Sequence, residues 1–346
     1  MRTLKLYYHK SNLPFQYPFT ISKGTKTTQP SLIVCLELGP FRGYGEAPAI
    51  SYYNVSVDSM VEAAEQKRRL VEKFAFTDPE RYWHYLHHLF PNNPFLVCAL
   101  DMAGWDLWGN MKRQPLYQLW NTSFSDANPL TNYTIGIDSI ETMLAKMEAN
   151  PNPIYKVKLG TPNDIAIIET LRRKTESIIR VDANGAWKLT EAMTLLPRLA
   201  ELGVELVEQP LAKDDWEGMK QLYNFSPIPL IADESCVEEE DVAKCVNHFH
   251  GINIKLTKCS GITPARVMIS KARELGLKVM MGSMNESSIG SAAIANFLPQ
   301  LDYVDMDGPL LLSGDIAEGL VYQYGKVSLS AQPGLGISIK ADTSFV

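Results

Sequence analysis

The sequence predicts two units, an α+β unit over residues 1–125 and a parallel (β/α)-type barrel over residues 126–320. Residues 321–346 form a segment that returns to the first unit. Two observations carry this division. From residue 130 onward, short apolar strands alternate with helices, and eight strands recur about every 25 residues with one helix each. Before that point the strands come first and the helices follow as a block, the order of an α+β unit. A doubly wound sheet shares the alternation but calls for a Gly-rich first βα turn, and no G-x-G-x-x-G follows any of these strands.

Taken in order, Arg2–His9 alternates polar and apolar residues, and Ser31–Leu38 is rich in branched residues, so both read as strands. Gly39-Pro40 makes a turn into a hairpin-like continuation, Gly43-Tyr44-Gly45-Glu46-Ala47. Between the strands, Ile21–Thr28 is small, polar and aperiodic, which predicts a mobile loop. Amphipathic helices fit Val57–Phe74 and Pro79–Phe90, and a more apolar one fits Pro94–Asn110. The Ser/Thr/Asn/Asp-rich stretch Asn121–Pro129 reads as a linker. The barrel strands fall at Leu130–Ile137, Ile154–Leu159, Ile178–Val181, Val204–Val207, Leu230–Ala232, Ile252–Lys255, Lys278–Met281 and Leu301–Val304. Helices such as Thr190–Leu202, Val237–Val246 and Pro264–Leu275 lie between them. The tail from Val321 returns to short β and turn residues.

The 346 residues are 45% hydrophobic and 21% charged, the balance of a soluble globular protein with a large core. A net charge of −6 with no long basic run argues against a nucleic-acid surface. No apolar run approaches the length of a membrane span, and the start, Met1–Leu6, lacks the apolar core of a signal peptide. Five scattered cysteines without a C-x-x-C read as reduced thiols, so a cytoplasmic protein is expected. His84, His87 and His88 share an aromatic helix and read as packing and capping residues.

Chemistry concentrates at the C-terminal ends of the barrel strands, where barrel enzymes build their sites. The second strand carries Lys156 and Lys158, spaced i, i+2 and so on one face. Two ammonium groups side by side on a half-buried strand repel, which favours proton loss from one of them. The third, fourth and fifth strands end in Asp182, Glu208 and Asp233, the sixth in Lys255, and the eighth in Asp305-Met306-Asp307. Three carboxylates facing one point need a cation between them. Hard oxygen donors suit Mg²⁺ better than Zn²⁺, since no His or Cys falls at these ends apart from Cys236, just past the fifth. The competing explanation for each acid is a helix N-cap. Three on adjacent strands, bracketed by lysines, favour one Mg²⁺ per subunit. Glu234 is expected to support that cluster from one residue further on.

Lys158 and Lys255 on opposite sides of a barrel mouth can face the two sides of a carbon held between them. A metal there can bind a substrate carboxylate and stabilise the enediolate left when an α-proton departs. One lysine removes the proton and the other returns one to the opposite face, a 1,1-proton transfer.

These motifs, in this order, resemble the enolase superfamily in its muconate-lactonising branch, and within it the dipeptide epimerases. The resemblance rests on Gly43–Ala47, on Ala99-Leu100-Asp101-Met102-Ala103-Gly104-Trp105-Asp106, on the K-x-K, the three acids, Asn253-Ile254-Lys255 and Pro333-Gly334-Leu335-Gly336. It implies a (β/α)7β modified TIM barrel under an α+β capping domain made by both termini. It also implies Mg²⁺, the acid/base pair Lys158 and Lys255, and Lys156 as electrostatic tuner of Lys158. Asp305 and Asp307 resemble the D-x-D that holds the free α-ammonium of a dipeptide, and two acids on one strand face fit that role physically. Thr134 and Ser283 would complete the pocket. In this family the loops Ser22–Thr28 and Pro48–Val55 set side-chain preference. Lys23 or Lys26 would suit an acidic side chain, whereas Tyr52 and Tyr53 would suit an apolar one.

The expected activity is therefore epimerisation of L-Ala-L-Xaa dipeptides, with Lys26 and Tyr53 among the substrate contacts. No nucleic-acid or membrane partner is expected, and a homo-oligomer is left open. The alternatives on the same scaffold are an N-succinylamino-acid racemase, an o-succinylbenzoate synthase or a cycloisomerase. A non-catalytic binding protein is the third reading.

Overall fold

The computed structural model describes residues 3–346. Arg2, assigned by its alternation to the first strand, lies outside them. The N-terminal unit is an antiparallel sheet of β1 (Lys5–Ile21), β2 (Gly24–Leu38) and β3 (Phe41–Pro48), followed by α1 (Val57–Lys73), α2 (Pro79–Leu89), α3 (Pro94–Lys112) and the single turn α4 (Leu116–Leu119). The predicted helices stand within two residues of these bounds. Ser56 starts α1, its hydroxyl accepting the Ser59 N–H, and Asp78 does the same for α2 through the Arg81 N–H.

The Ile21–Thr28 expectation is corrected. These residues are the tip of the β1–β2 hairpin, with Phe19 opposite Lys26, Thr20 opposite Thr25 and Ile21 opposite Gly24. A register shift between Pro14 and Phe19 lets the long ribbon bend. Polar residues without apolar alternation hid the pairing, because this ribbon reaches beyond its own sheet's core.

The barrel strands are β4 (Tyr133–Ile135), β5 (Ile154–Lys158), β6 (Ile178–Asp182), β7 (Val204–Glu208), β8 (Leu230–Ala232), β9 (Gly251–Ile254), β10 (Lys278–Gly282) and β11 (Tyr303–Asp305). They pair in sequence order, all parallel, and a Thr131–Val304 bridge joins the first edge to the last. Seven helices separate them: α5 (Ile140–Ala149), α6 (Asp164–Arg172), α7 (Leu189–Glu201), α8 (Trp216–Phe225), α9 (Glu239–Lys244), α10 (Ile262–Glu274) and α11 (Ser288–Ala295). The architecture is thus (β/α)7β. After it come α12 (Gly308–Leu311) and the short strands β12 (Ala317–Glu318), β13 (Leu320–Gln323), β14 (Lys326–Leu329) and β15 (Ser338–Ile339).

On β5 and β6 alternation sends apolar residues outward and charged ones inward, while Leu206, Ile231 and Met280 form a small apolar cluster of their own on β7, β8 and β10. Tyr155, Val157, Ile179 and Val181 pack with the surrounding helices in the main core, while Lys156, Lys158, Arg180 and Asp182 take the other face. Helix α3 is buried nearly all round because it has a core on each side. Leu96, Leu100 and Leu107 belong to the core of the N-terminal unit, whereas Cys98, Met102 and Trp105 belong to that of the barrel. The helix lies so close to β3 that a Cβ on Gly45 would sit 2.0 Å from the Ala99 carbonyl oxygen.

Three buried carboxylates of the N-terminal unit fasten it to the rest. Glu46 accepts the Ser287 N–H and hydroxyl (3.1 and 2.6 Å) and the Gly290 N–H (3.0 Å), at the N-terminus of α11. Asp101 accepts the Thr263 N–H (2.9 Å) and hydroxyl (2.8 Å), at the N-terminus of α10. Both acids satisfy orphan N–H groups and face the positive end of a helix. Asp106 accepts the Tyr44 N–H (2.8 Å) and the Leu335 N–H (2.7 Å), tying β3, α3 and the C-terminal segment together. The last residue pairs with the first strand through two 3.0 Å backbone bonds between Tyr8 and Val346.

Candidate active site

Register places the acids. Lys158, Asp182 and Glu208 are neighbours across β5, β6 and β7, and Asp233 stands one residue past β8. Asp182, Glu208 and Asp233 are buried, and one oxygen of each lies within 4.8 Å of those of the other two. Capping does not account for them, since Lys188, Asp215 and Glu238 occupy the N-cap positions of α7, α8 and α9. An all-oxygen set of three carboxylates this close fits a hard divalent ion such as Mg²⁺.

Lysines surround the acids. Lys158 Nζ lies 2.6 Å from Asp182 Oδ2, and Lys255 Nζ lies 2.7 Å from Asp233 Oδ2. Lys156 Nζ sits among Asp305 (2.6 Å), Glu208 (2.7 Å) and Asp182 (3.3 Å). The Asn253 amide donates to Glu208 Oε1 at 2.8 Å. Burial and the neighbouring Asp182 charge push Glu208 up to about 7. Burial also works to raise Asp182 and Asp233, but the lysines outweigh it and hold both below the ordinary range.

Of the Lys156 and Lys158 pair, Lys156 is the member that keeps its proton. Carboxylates from three strands stand beside Lys156, and their charges outweigh burial and hold it protonated. The i, i+2 spacing was visible along the chain, but Asp305, 149 residues away, was not a visible partner. Lys156 is almost fully buried and makes no part of the cavity wall.

A cavity of about 360 Å³ opens over this cluster, between the barrel mouth and the tip of the β1–β2 hairpin. The barrel contributes Lys158, Asp233, Lys255, Asp305, Asp307, Thr134 and Ser283 to its wall, and the N-terminal unit contributes Lys26 and Tyr53. Nine of the twelve site residues expected from sequence therefore line one space. Lys156, Asp182 and Glu208 are the fully buried charges behind it. Lys158 comes from the second strand of eight and Lys255 follows the sixth, so they approach the cavity from opposite sides.

Asp305 and Asp307 are both buried. Asp305 accepts from Lys156 and, at 2.8 Å, from the Asn132 amide. Asp307 accepts the Thr134 N–H, and burial together with Asp305 pushes it up to about 8. At the hairpin tip, Lys23 Nζ lies 2.7 Å from Glu234 Oε1 and 3.7 Å from the centre of the Tyr52 ring. Glu234 therefore reaches across to the N-terminal unit. Lys26 has a different environment: its polar partner is the Gln29 side-chain oxygen at 3.3 Å, and burial depresses its proton affinity.

One buried charge beside the acid cluster escaped the sequence reading. Lys258 is fully buried and lies 2.6 Å from Asp233 Oδ1. Its signal was an i, i+3 spacing from Lys255, which means something only if the residues after β9 make a helical turn.

Comparison with known proteins agrees with this geometry. Residues 141–343 match the family model described as enolase C-terminal domain-like. An L-Ala-D/L-amino acid epimerase of Flavobacterium johnsoniae is 48% identical over 97% of this chain and 100% of its own length. An L-Ala-D/L-Glu epimerase of Bacteroides thetaiotaomicron is 36% identical over 96% of this chain and 88% of its own. Among solved structures, a dipeptide epimerase of Cytophaga hutchinsonii complexed with Mg and D-Ala-L-Val superposes with a TM-score of 0.94 at 26% identity, covering 100% of this chain and 99% of that one. The substrate-liganded L-Ala-D/L-Glu epimerase of Bacillus subtilis gives 0.91 at 31% identity, covering 97% and 99%. With seven of the eight barrel strands, the strand-end acids and the lysines all within residues 141–343, the chain belongs to the enolase superfamily.

Proposed function

We propose that this protein is a Mg²⁺-dependent dipeptide epimerase that inverts the α-carbon of the C-terminal residue of L-Ala-L-Xaa dipeptides. The observation that carries the reading is the placing of Lys158 and Lys255 on opposite walls of one cavity, each beside a different carboxylate of the Asp182, Glu208 and Asp233 cluster. Those three acids would hold the ion. When bound there, Mg²⁺ supplies positive charge for the substrate carboxylate and for the negative charge that develops as the α-proton leaves.

Lys158 and Lys255 exchange a proton with the two faces of the α-carbon, one taking it and the other returning it. Asp305 and Asp307 receive the α-ammonium at the other end of the cavity, with Thr134 and Ser283 beside them. Two buried acids there would oppose an N-succinyl substrate, which brings negative charge to that end. The N-terminal unit and the C-terminal segment act as a cap that excludes water from the cavity.

The test is incubation of an L-Ala-L-Xaa library with Mg²⁺ in D₂O. Exchange and inversion at the C-terminal α-carbon are expected. Absence of exchange with every dipeptide, alongside activity on an N-succinylamino acid, would overturn the reading.

A further inference from the structure

Lys258 is a buried cation to which the proposed reaction gives no task. It follows Lys255 in a turn closed by the Lys258 N–H to Lys255 O (3.0 Å) and Gly261 N–H to Leu256 O (2.8 Å) bonds. That turn directs both ammonium groups at one carboxylate: Lys255 at Asp233 Oδ2 (2.7 Å) and Lys258 at Oδ1 (2.6 Å). Lys258 also donates to the carbonyls of Cys236 (3.0 Å), Asn253 (3.3 Å) and Asp233 itself. An ammonium group has three protons, and here four acceptors surround it with no room for water, its side chain being 0% exposed. Lys255 lines the cavity, whereas Lys258 does not.

We propose that Lys258 is a positioning residue: it pins Oδ1 of Asp233 to the β8 and β9 ends, so that Oδ2 alone faces the ion site and Lys255. This rests on the reading of Asp233 as a metal ligand. A carboxylate at a strand end can rotate about its side-chain bonds. Contacts from one cation to that carboxylate, its own carbonyl and two neighbouring carbonyls remove the freedom.

The sign of the effect on Mg²⁺ separates positioning from simple charge. A fixed cation next to a metal site repels the metal, so removing it should tighten Mg²⁺ if charge were its whole effect. Positioning predicts the reverse, a loss of roughly 10- to 100-fold in affinity, as for other groups that orient metal ligands.

The experiment is calorimetric titration of Mg²⁺ into the wild-type protein, Lys258→Met, Lys258→Gln and Asp233→Asn, with thermal unfolding of each recorded in parallel. Weaker Mg²⁺ binding by folded Lys258→Met, partly restored in Lys258→Gln, supports the proposal. Equal or tighter binding by either folded variant overturns it, and Lys258→Gln provides the readout if Lys258→Met fails to fold. If Asp233→Asn binds Mg²⁺ as well as the wild type does, the metal-ligand reading fails instead.

Discussion

Lys158 and Asp182 are direct neighbours across β5 and β6, and their side chains meet at 2.6 Å between Nζ and Oδ2. Lys255 and Asp233 repeat the arrangement at 2.7 Å on the far side of the cavity. Each proposed proton carrier thus stands against a proposed metal ligand, and the proposed reaction has two arms. Lys158→Ala and Lys255→Ala should each lower epimerisation by about 10²–10⁴-fold, the usual contribution of a positioned acid or base. Each variant should still exchange the α-proton of one epimer in D₂O, and the retained epimer should differ between the two. Proton NMR of both dipeptide epimers with both variants checks this, and an identical pattern would remove the two-sided mechanism.

Asp307 sets a pH dependence. Burial and Asp305 push it up to about 8, so below that pH it is protonated and has no charge to offer an ammonium group. Because a raised carboxyl pKa means the charged form appears only as pH rises, kcat/KM should increase from pH 6 to pH 8. In Asp307→Asn that rise should vanish and kcat/KM should be lower throughout. A pH–rate profile with the same rise in both proteins would assign it to another group.

Lys26 bears on the side chain of the substrate. Lys23 already has Glu234 as a partner, whereas Lys26 faces the cavity with Gln29 for its polar contact. A carboxylate brought to it would gain a charge-assisted hydrogen bond, worth about 1.5–3 kcal/mol. Lys26→Met should therefore reduce kcat/KM for L-Ala-L-Glu by roughly tenfold or more, since about 1.4 kcal/mol is tenfold. It should leave L-Ala-L-Gln nearly unchanged, and Lys23→Met should not reproduce the selectivity. Equal losses on both dipeptides would exclude this role.

Asp106 tests the fastening of the cap. Its two carboxylate oxygens accept from Leu335 N–H and Tyr44 N–H respectively. Asparagine offers one oxygen, so Asp106→Asn leaves one of those buried N–H groups facing an NH₂. The expected cost is about 1–3 kcal/mol, seen as a lower urea midpoint. An unchanged midpoint would show that the C-terminal segment is not held through this residue.

The sequence alone determined whatever depends on order along one strand or one helix. Period-two alternation and strand-end position were enough to place Asp182, Glu208, Asp233, Lys158 and Lys255 on one rim, because in a parallel barrel every strand ends at the same face. The helix bounds were legible for the same reason: Ser56, Asp78 and Pro94 act within a turn of where they stand. Only the tertiary structure decided which charge neutralises which. Lys156 belongs to Asp305 as much as to its own neighbours, Glu234 belongs to Lys23, and Asp233 is shared between Lys255 and Lys258. The hairpin tip at Ile21–Thr28 was likewise illegible, since its residues face a barrel mouth more than a hundred residues away. A buried charge takes the partner that geometry brings within about 3 Å, and strand closure, which joins Thr131 to Val304, is what brings those partners together.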